Sequence, residues 1–189
     1  MDSGLIVSGT SKGTAFIQKV LQSSGCAQIT VAKAGNEARR LLIENEYDLV
    51  VINAPLGDEY GHELAMSVAG GAGSGVLLIV KAEAADEIMS KVEESGVFVV
   101  PKPISAQLFF QSVKLVEATR RRMLGLRSEN SKLKRKIEDI KLADRAKCAL
   151  IQYLGMTEAQ AHRYIEKQAM DLRLTRREVA QRILNTYES

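Results

Sequence analysis

Apolar residues in the first hundred positions gather in five short runs, at 5–7, 29–31, 49–52, 76–80 and 97–100. The run Leu49, Val50, Val51, Ile52 has no polar interruption, which is how a strand buried on both faces reads. Between the runs the apolar positions recur at helical spacing. Phe16, Ile17, Val20 and Leu21 predict a helix over 14–22, stopped by Ser23, Ser24 and Gly25. Ala38, Leu41 and Leu42 predict a helix over 37–45, with Asn36 as its cap. Two more helices are expected, over 61–69 before the glycine-rich stretch 70–75, and over 85–95 before Gly96. Five strands alternating with helices predict a doubly wound α/β domain with a five-stranded parallel sheet. Ligand sites in such sheets lie at the carboxyl ends of the strands. Those ends offer Ser8, Gly9, Asn53, Lys81 and Lys102. The segment from Gly9 to Thr14, GTSKGT, lacks the spacing of a phosphate loop and reads as a strand-to-helix turn.

The pattern changes after position 105. From 106 to about 153 there is no proline and a single glycine, Gly125. Val116, Met123, Asn130, Ile137 and Asp144 recur every seven residues, and Leu126, Leu133 and Ile140 follow three positions after Met123, Asn130 and Ile137. This is an a/d repeat, strongest from 123 to 140, and it predicts a long coiled-coil helix. A polar Asn130 at an a position favours a parallel dimer in register. Glu129 at g can reach Lys134 at e of the partner helix, whereas Arg122 with Arg127 and Lys136 with Lys141 repel, so the seam is short. The expected seam is Val116, Met123, Leu126, Asn130, Leu133, Ile137 and Ile140; a single amphipathic helix lying on its own domain is the other reading.

Gly155 ends this helix. Thr157 with Gln160, and Thr175 with Glu178, have capping-box spacing and open two further helices, to about 172 and 187. Ala146, Leu150, Leu154, Ala161, Ile165, Ala169, Val179 and Ile183 are expected to form the core of a small three-helix bundle, marginal without support from the coiled coil. The domain boundaries read from these shifts are 1–118, 119–141 and 142–189.

The 189 residues carry a net charge of +3, which conceals an asymmetry. Residues 1–112 hold 8 Lys/Arg against 13 Asp/Glu, and residues 113–189 hold 18 against 10. A cationic second half points to a polyanion as partner. The longest apolar runs are far below the roughly 20 residues of a bilayer span, and no secretory leader is visible, so a cytoplasmic protein without membrane contact is expected. Cys26 and Cys148 lie far apart and His62 and His162 stand alone, so no metal and no cofactor is expected. No nucleophile–base pair or carboxylate pair suggests an enzyme.

Two family resemblances sharpen the picture. YDLVVINAPLGDEYGHEL (47–64) and PKP (101–103) resemble the receiver domain of bacterial response regulators over about residues 4–118. The resemblance implies an acidic pair after the first strand to hold Mg²⁺, an aspartate on the third as phosphoryl acceptor, a Thr or Ser on the fourth, and a lysine on the fifth. Here those positions carry Ser8 and Gly9, Asn53, and Lys81; only Lys102 is kept. A carboxamide neither accepts a phosphoryl group nor supplies the anionic oxygen that Mg²⁺ prefers. The expectation is a degenerate receiver that aspartyl phosphorylation does not switch, with Lys81 and Lys102 either lining an anion pocket or simply exposed. Asp48 and Asp58 do not replace the missing acids.

AKCALIQYLGMTEAQAHRYIEKQAMDLRLTRREVAQRIL (146–184) resembles the ANTAR domain. The matching residues are Ala146-Lys147, Leu150-Ile151, Thr157-Glu158, Ala161, Ala169-Met170 and Glu178-Val179-Ala180. Cys148 stands where glycine is usual, and His162 where an aromatic is common. The resemblance implies a transcription antiterminator: a homodimer, joined through the coiled coil, that binds two adjacent mRNA hairpin loops. The terminator hairpin then cannot form, and RNA polymerase, an indirect partner, reads through. Lys147, Arg163, Tyr164, Lys167, Arg173, Arg176 and Arg177 are the expected RNA contacts. The alternative is a DNA-binding regulator in which the last two helices form a helix-turn-helix.

Overall fold

The computed structural model describes residues 1–71 and 73–187, so Ala72 of the glycine-rich stretch and the last two positions of the third expected domain lie outside the described residues. The chain divides into two compact units, Met1–Gly125 and Leu126–Ser189.

In the first unit β1 (Ser3–Ser8), β2 (Gln28–Ala32), β3 (Leu49–Asn53), β4 (Gly75–Lys81) and β5 (Phe98–Lys102) form one parallel sheet in the order β2-β1-β3-β4-β5. The helices α1 (Ser11–Ser23), α2 (Gly35–Glu44), α3 (His62–Gly70) and α4 (Ala85–Val92) are the crossovers. Every residue of β3, at the centre, is buried. One face of the sheet presents Leu5, Val7, Val50, Ile52, Leu78 and Val80 to α2, α3 and α4. The other presents Ile6, Val51, Leu77, Ile79 and Val100 to α1 and to the first turns of α5 (Ala106–Leu154). Pro101 and Lys102 lie within β5 rather than after it. β5 is an edge strand, where a missing proline N–H costs no ladder bond.

Local capping departs from the sequence reading at α2. Asn36 is its second residue and not its cap. The Asp58 carboxylate, from the loop after β3, accepts the Gly35 and Asn36 N–H groups at 2.8 and 2.9 Å. Sequence periodicity cannot reveal a cap that arrives from 22 positions away. The helix expected over 85–95 is α-helical only to Val92, and Glu93–Ser95 finish it as a 3-10 turn.

α5 begins on the first unit's core. Phe109, Val113 and Val116 are buried against the sheet. Gly75 permits this approach, because a Cβ there would lie 2.5 Å from Val116 Cγ1. Val116 is therefore not part of an open seam: its side chain is already spent on its own domain.

The second unit holds the rest of α5 with α6 (Glu158–Leu172) and α7 (Arg176–Tyr187). Gly155, at φ 65°, ends α5. Both capping boxes form: Thr157 Oγ1 accepts from Gln160 N–H while Gln160 Oε1 accepts from Thr157 N–H, and Thr175 exchanges the equivalent pair with Glu178. The core is Ala146, Ala149, Leu150, Ala161, Ile165, Val179, Ala180, Ile183 and Leu184, with Ala169 partly buried beside it. Leu154, expected in this core, is instead half exposed. It stands at a d position of the heptad, whereas the core side of α5 here is the stripe containing Ala146, Ala149 and Leu150.

Candidate functional site

Three places carry candidate chemistry. The first is the carboxyl end of the sheet. Register puts Ser8 beside Asn53 and Lys81 beside Lys102. Asn53 is 7% exposed, and its Nδ2 donates to Ser8 Oγ at 3.0 Å and to Thr10 Oγ1 at 3.4 Å. The amide lies against α1 at Gly13, where a Cβ would collide with Nδ2. The carboxamide is thus committed to hydroxyls on the β1–α1 turn, and Thr10 is a member of this cluster that the sequence reading missed.

Lys102 Nζ donates to the Ala54 carbonyl at 2.7 Å. Burial pushes its pKa down, and the neighbouring Lys81 ammonium pushes it further the same way. Lys81 itself is exposed. No carboxylate pairs with either lysine among the described residues. Asp58 is spent capping α2, and Glu59 forms a forked pair with Arg39 at 2.6 and 2.9 Å. Asp48 receives the Asp2 and Ser3 amides and pairs with Arg120 at 2.7 Å, far along the strands from Asn53. The acids nearest in sequence to the missing ones are therefore doing structural work.

The second place is the exposed stripe of α5. Met123, Leu126, Leu133, Ile137 and Ile140 are all half exposed or more, and Asn130 lies among them, also exposed. From 121 to 138 no side chain is buried, and Leu124 at 37% is the least exposed of the large apolar ones.

The third is the surface of the second unit. Arg163, Tyr164, Lys167 and Arg173 are exposed, and the three cations have no ion-pair partner among the described residues. Arg163 and Lys167 are four apart on α6 and share a face. Arg173 caps the end of α6 with φ 53°. The other three candidate contacts are paired. Lys147 lies between Asp144 at 2.9 Å and Glu158 at 3.4 Å, Arg176 holds Glu166 at 2.7 Å, and Arg177 holds Asp139 at 2.6 Å. Asp144 first, then Glu158, raise the Lys147 pKa, and Asp139 raises that of Arg177, so both stay cationic. The Arg176 and Arg177 pairs are exposed, and exposed pairs are weak and open readily to a phosphate. Only charge alternation hinted at them in the sequence.

The comparisons with known proteins fit this division. The first unit is similar to solved receiver domains that share little sequence with it. Chemotaxis response regulator CheY4 of Vibrio cholerae has a TM-score of 0.52 at 17% identity, covering 61% of this chain and 98% of that one. The non-phosphorylated HemR receiver domain of Leptospira biflexa has 0.53 at 23% identity, covering 62% and 94%. Residues 131–184 match the ANTAR domain family. The chain thus combines a receiver-like fold with a following segment that matches the ANTAR domain family. Over 170 residues it is 26% identical to the transcriptional regulatory protein PdtaR of Mycobacterium tuberculosis, covering 90% of this chain and 83% of that protein. The helix-turn-helix alternative has no support, since α6 and all but the last turn of α7 lie within the ANTAR match. Among the described residues no helix is long and apolar enough to cross a membrane.

Proposed function

We propose that this protein is a transcription antiterminator that grips paired hairpin loops of nascent mRNA as a homodimer. Its receiver domain, on this reading, is not switched by aspartyl phosphorylation. The observation that carries the proposal is the ANTAR match at 131–184, on a unit whose exposed cations Arg163, Lys167 and Arg173 have no acidic partner among the described residues. Looped RNA offers splayed bases and closely spaced phosphates, and lysines and arginines release the counterions that those phosphates hold. Arg176 and Arg177 add charge at the start of α7, where helix amides also favour an anion. The α5 stripe supplies the second copy, which brings a second binding unit to the second hairpin at high effective concentration. The domains follow as 1–118, 119–141 and 142–189, with the middle segment as the dimer seam, and polymerase is affected only through the RNA. The regulator acts in the cytoplasm, where transcripts are made.

Asn53 supports the unswitched receiver: its amide nitrogen donates to Ser8 and Thr10, and it has no carboxylate oxygen to attack phosphorus. Incubation with Mg²⁺ and a small acyl-phosphate donor leaves the first unit unmodified; one acyl phosphate on the intact protein would refute this part. For the RNA part, selection from a pool of two-hairpin RNAs with randomised loops, with duplex DNA as competitor, enriches looped RNAs. Arg173→Ala weakens their binding with the fold intact. Retention of the duplex DNA instead of RNA overturns the antiterminator reading.

A further inference from the structure

The unit from Leu126 onward contains three aromatic residues, Tyr153, Tyr164 and Tyr187, and neither phenylalanine nor tryptophan. Two of the three stack on each other. The rings of Tyr153 and Tyr187 have centroids 5.4 Å apart and planes 16° from parallel. Tyr187, at the end of α7, is partly buried against the bundle core, and Tyr153, in the last turn of α5, is 54% exposed. The pair is therefore a short column, anchored at its inner ring and open at its outer one. Neither hydroxyl has a hydrogen-bond partner among the described residues, so no polar contact explains the placement. Tyr164 is exposed but has no ring partner among the described residues.

We infer that the outer ring of the Tyr153–Tyr187 column is a platform on which one unpaired RNA base stacks. The inference rests on the RNA-binding reading above and gives that surface a base site, which charge alone does not supply. Three features favour it. A base in a hairpin loop is unstacked and seeks an aromatic face. Tyr187 already holds the Tyr153 ring in one orientation, so little side-chain freedom remains to be lost when a base arrives. Tyr153 also lies one position before the d residue Leu154 and off the a/d stripe, so pairing of two α5 helices leaves its face open. The surrounding unit is cationic, with 14 Lys/Arg against 9 Asp/Glu over 126–189, and draws the phosphates toward it.

The chain has no tryptophan, so Tyr153→Trp introduces a single fluorophore at the platform. Titrated with the tightest RNA from the two-hairpin selection, its emission falls with the same midpoint as binding; the same RNA annealed to its complement produces no such fall. Tyr153→Ala weakens binding of that RNA about tenfold, and Tyr153→Phe restores it to within about twofold of the parent. Unchanged emission during binding, or full affinity of a folded Tyr153→Ala variant, overturns the platform while leaving the RNA reading intact. Failure of any RNA to be enriched overturns both.

Discussion

The α5 stripe allows the proposed dimer to be tested separately from folding. Ile137 is 52% exposed and touches neither compact core. Full burial of a side chain of this size stabilises by about 1.5–3 kcal/mol, so covering its exposed half contributes about 1 kcal/mol per chain. Ile137→Asn removes that from both copies, about 2 kcal/mol per dimer. The dimer dissociation constant rises roughly 30-fold, since each 1.4 kcal/mol is a factor of ten. Sedimentation equilibrium measures the shift directly. Thermal unfolding at a concentration where the parent is monomeric is the control, and there the two melting temperatures agree. If Ile137→Asn self-associates as the parent does, the stripe is not the seam. If it lowers the melting temperature of the monomer, the side chain has a partner within its own chain and the reasoning fails.

Other outcomes follow from the same packing. Leu150 is 1% exposed at the centre of the small core, so Leu150→Ala costs about 2–5 kcal/mol, enough to unfold the second unit in a denaturant titration while the first unit's transition stays in place. Val116→Asp, by contrast, lowers the first unit's transition, because Val116 is buried against the sheet; a variant that only dissociated the dimer would return Val116 to the seam. The Asn36 and Gly35 amides hold the Asp58 carboxyl below its ordinary pKa. A depressed carboxylate stabilises the fold above its unfolded pKa and loses that contribution as pH falls through the folded one. Asp58→Asn is therefore less stable than the parent at neutral pH, and the two converge in acid; a constant difference down to about pH 2 would contradict the cap.

Much of this organisation is legible in local sequence because local physics sets it. Short continuous apolar runs gave all five strands, most clearly the central β3, whose run Leu49–Ile52 is buried on both faces. Capping boxes at Thr157 and Thr175 announced α6 and α7, since both partners of each box lie three residues apart. That Asn53, Ser8, Gly9 and Lys81 stand where the receiver resemblance expects acids and a hydroxyl was readable once that resemblance was drawn, and the ANTAR-like residues were likewise legible through their resemblance.

What required the fold is what joins distant positions. A heptad repeat records that Val116 and Ile137 lie on one stripe of a helix, but not that Gly75 opens a berth for the first while the second stays half exposed among the described residues. The aspartate that caps α2, the hydroxyls that absorb the Asn53 amide, and the acids that neutralise Lys147, Arg176 and Arg177 are likewise set by which elements meet. The Tyr153–Tyr187 column has no local signature at all, because the two rings are 34 positions apart and come together only when α7 returns alongside α5. Composition and spacing determined the elements and pointed to a polyanion; three-dimensional contact decided which side chains stay on the surface, because a side chain buried in a core has no face left for a partner.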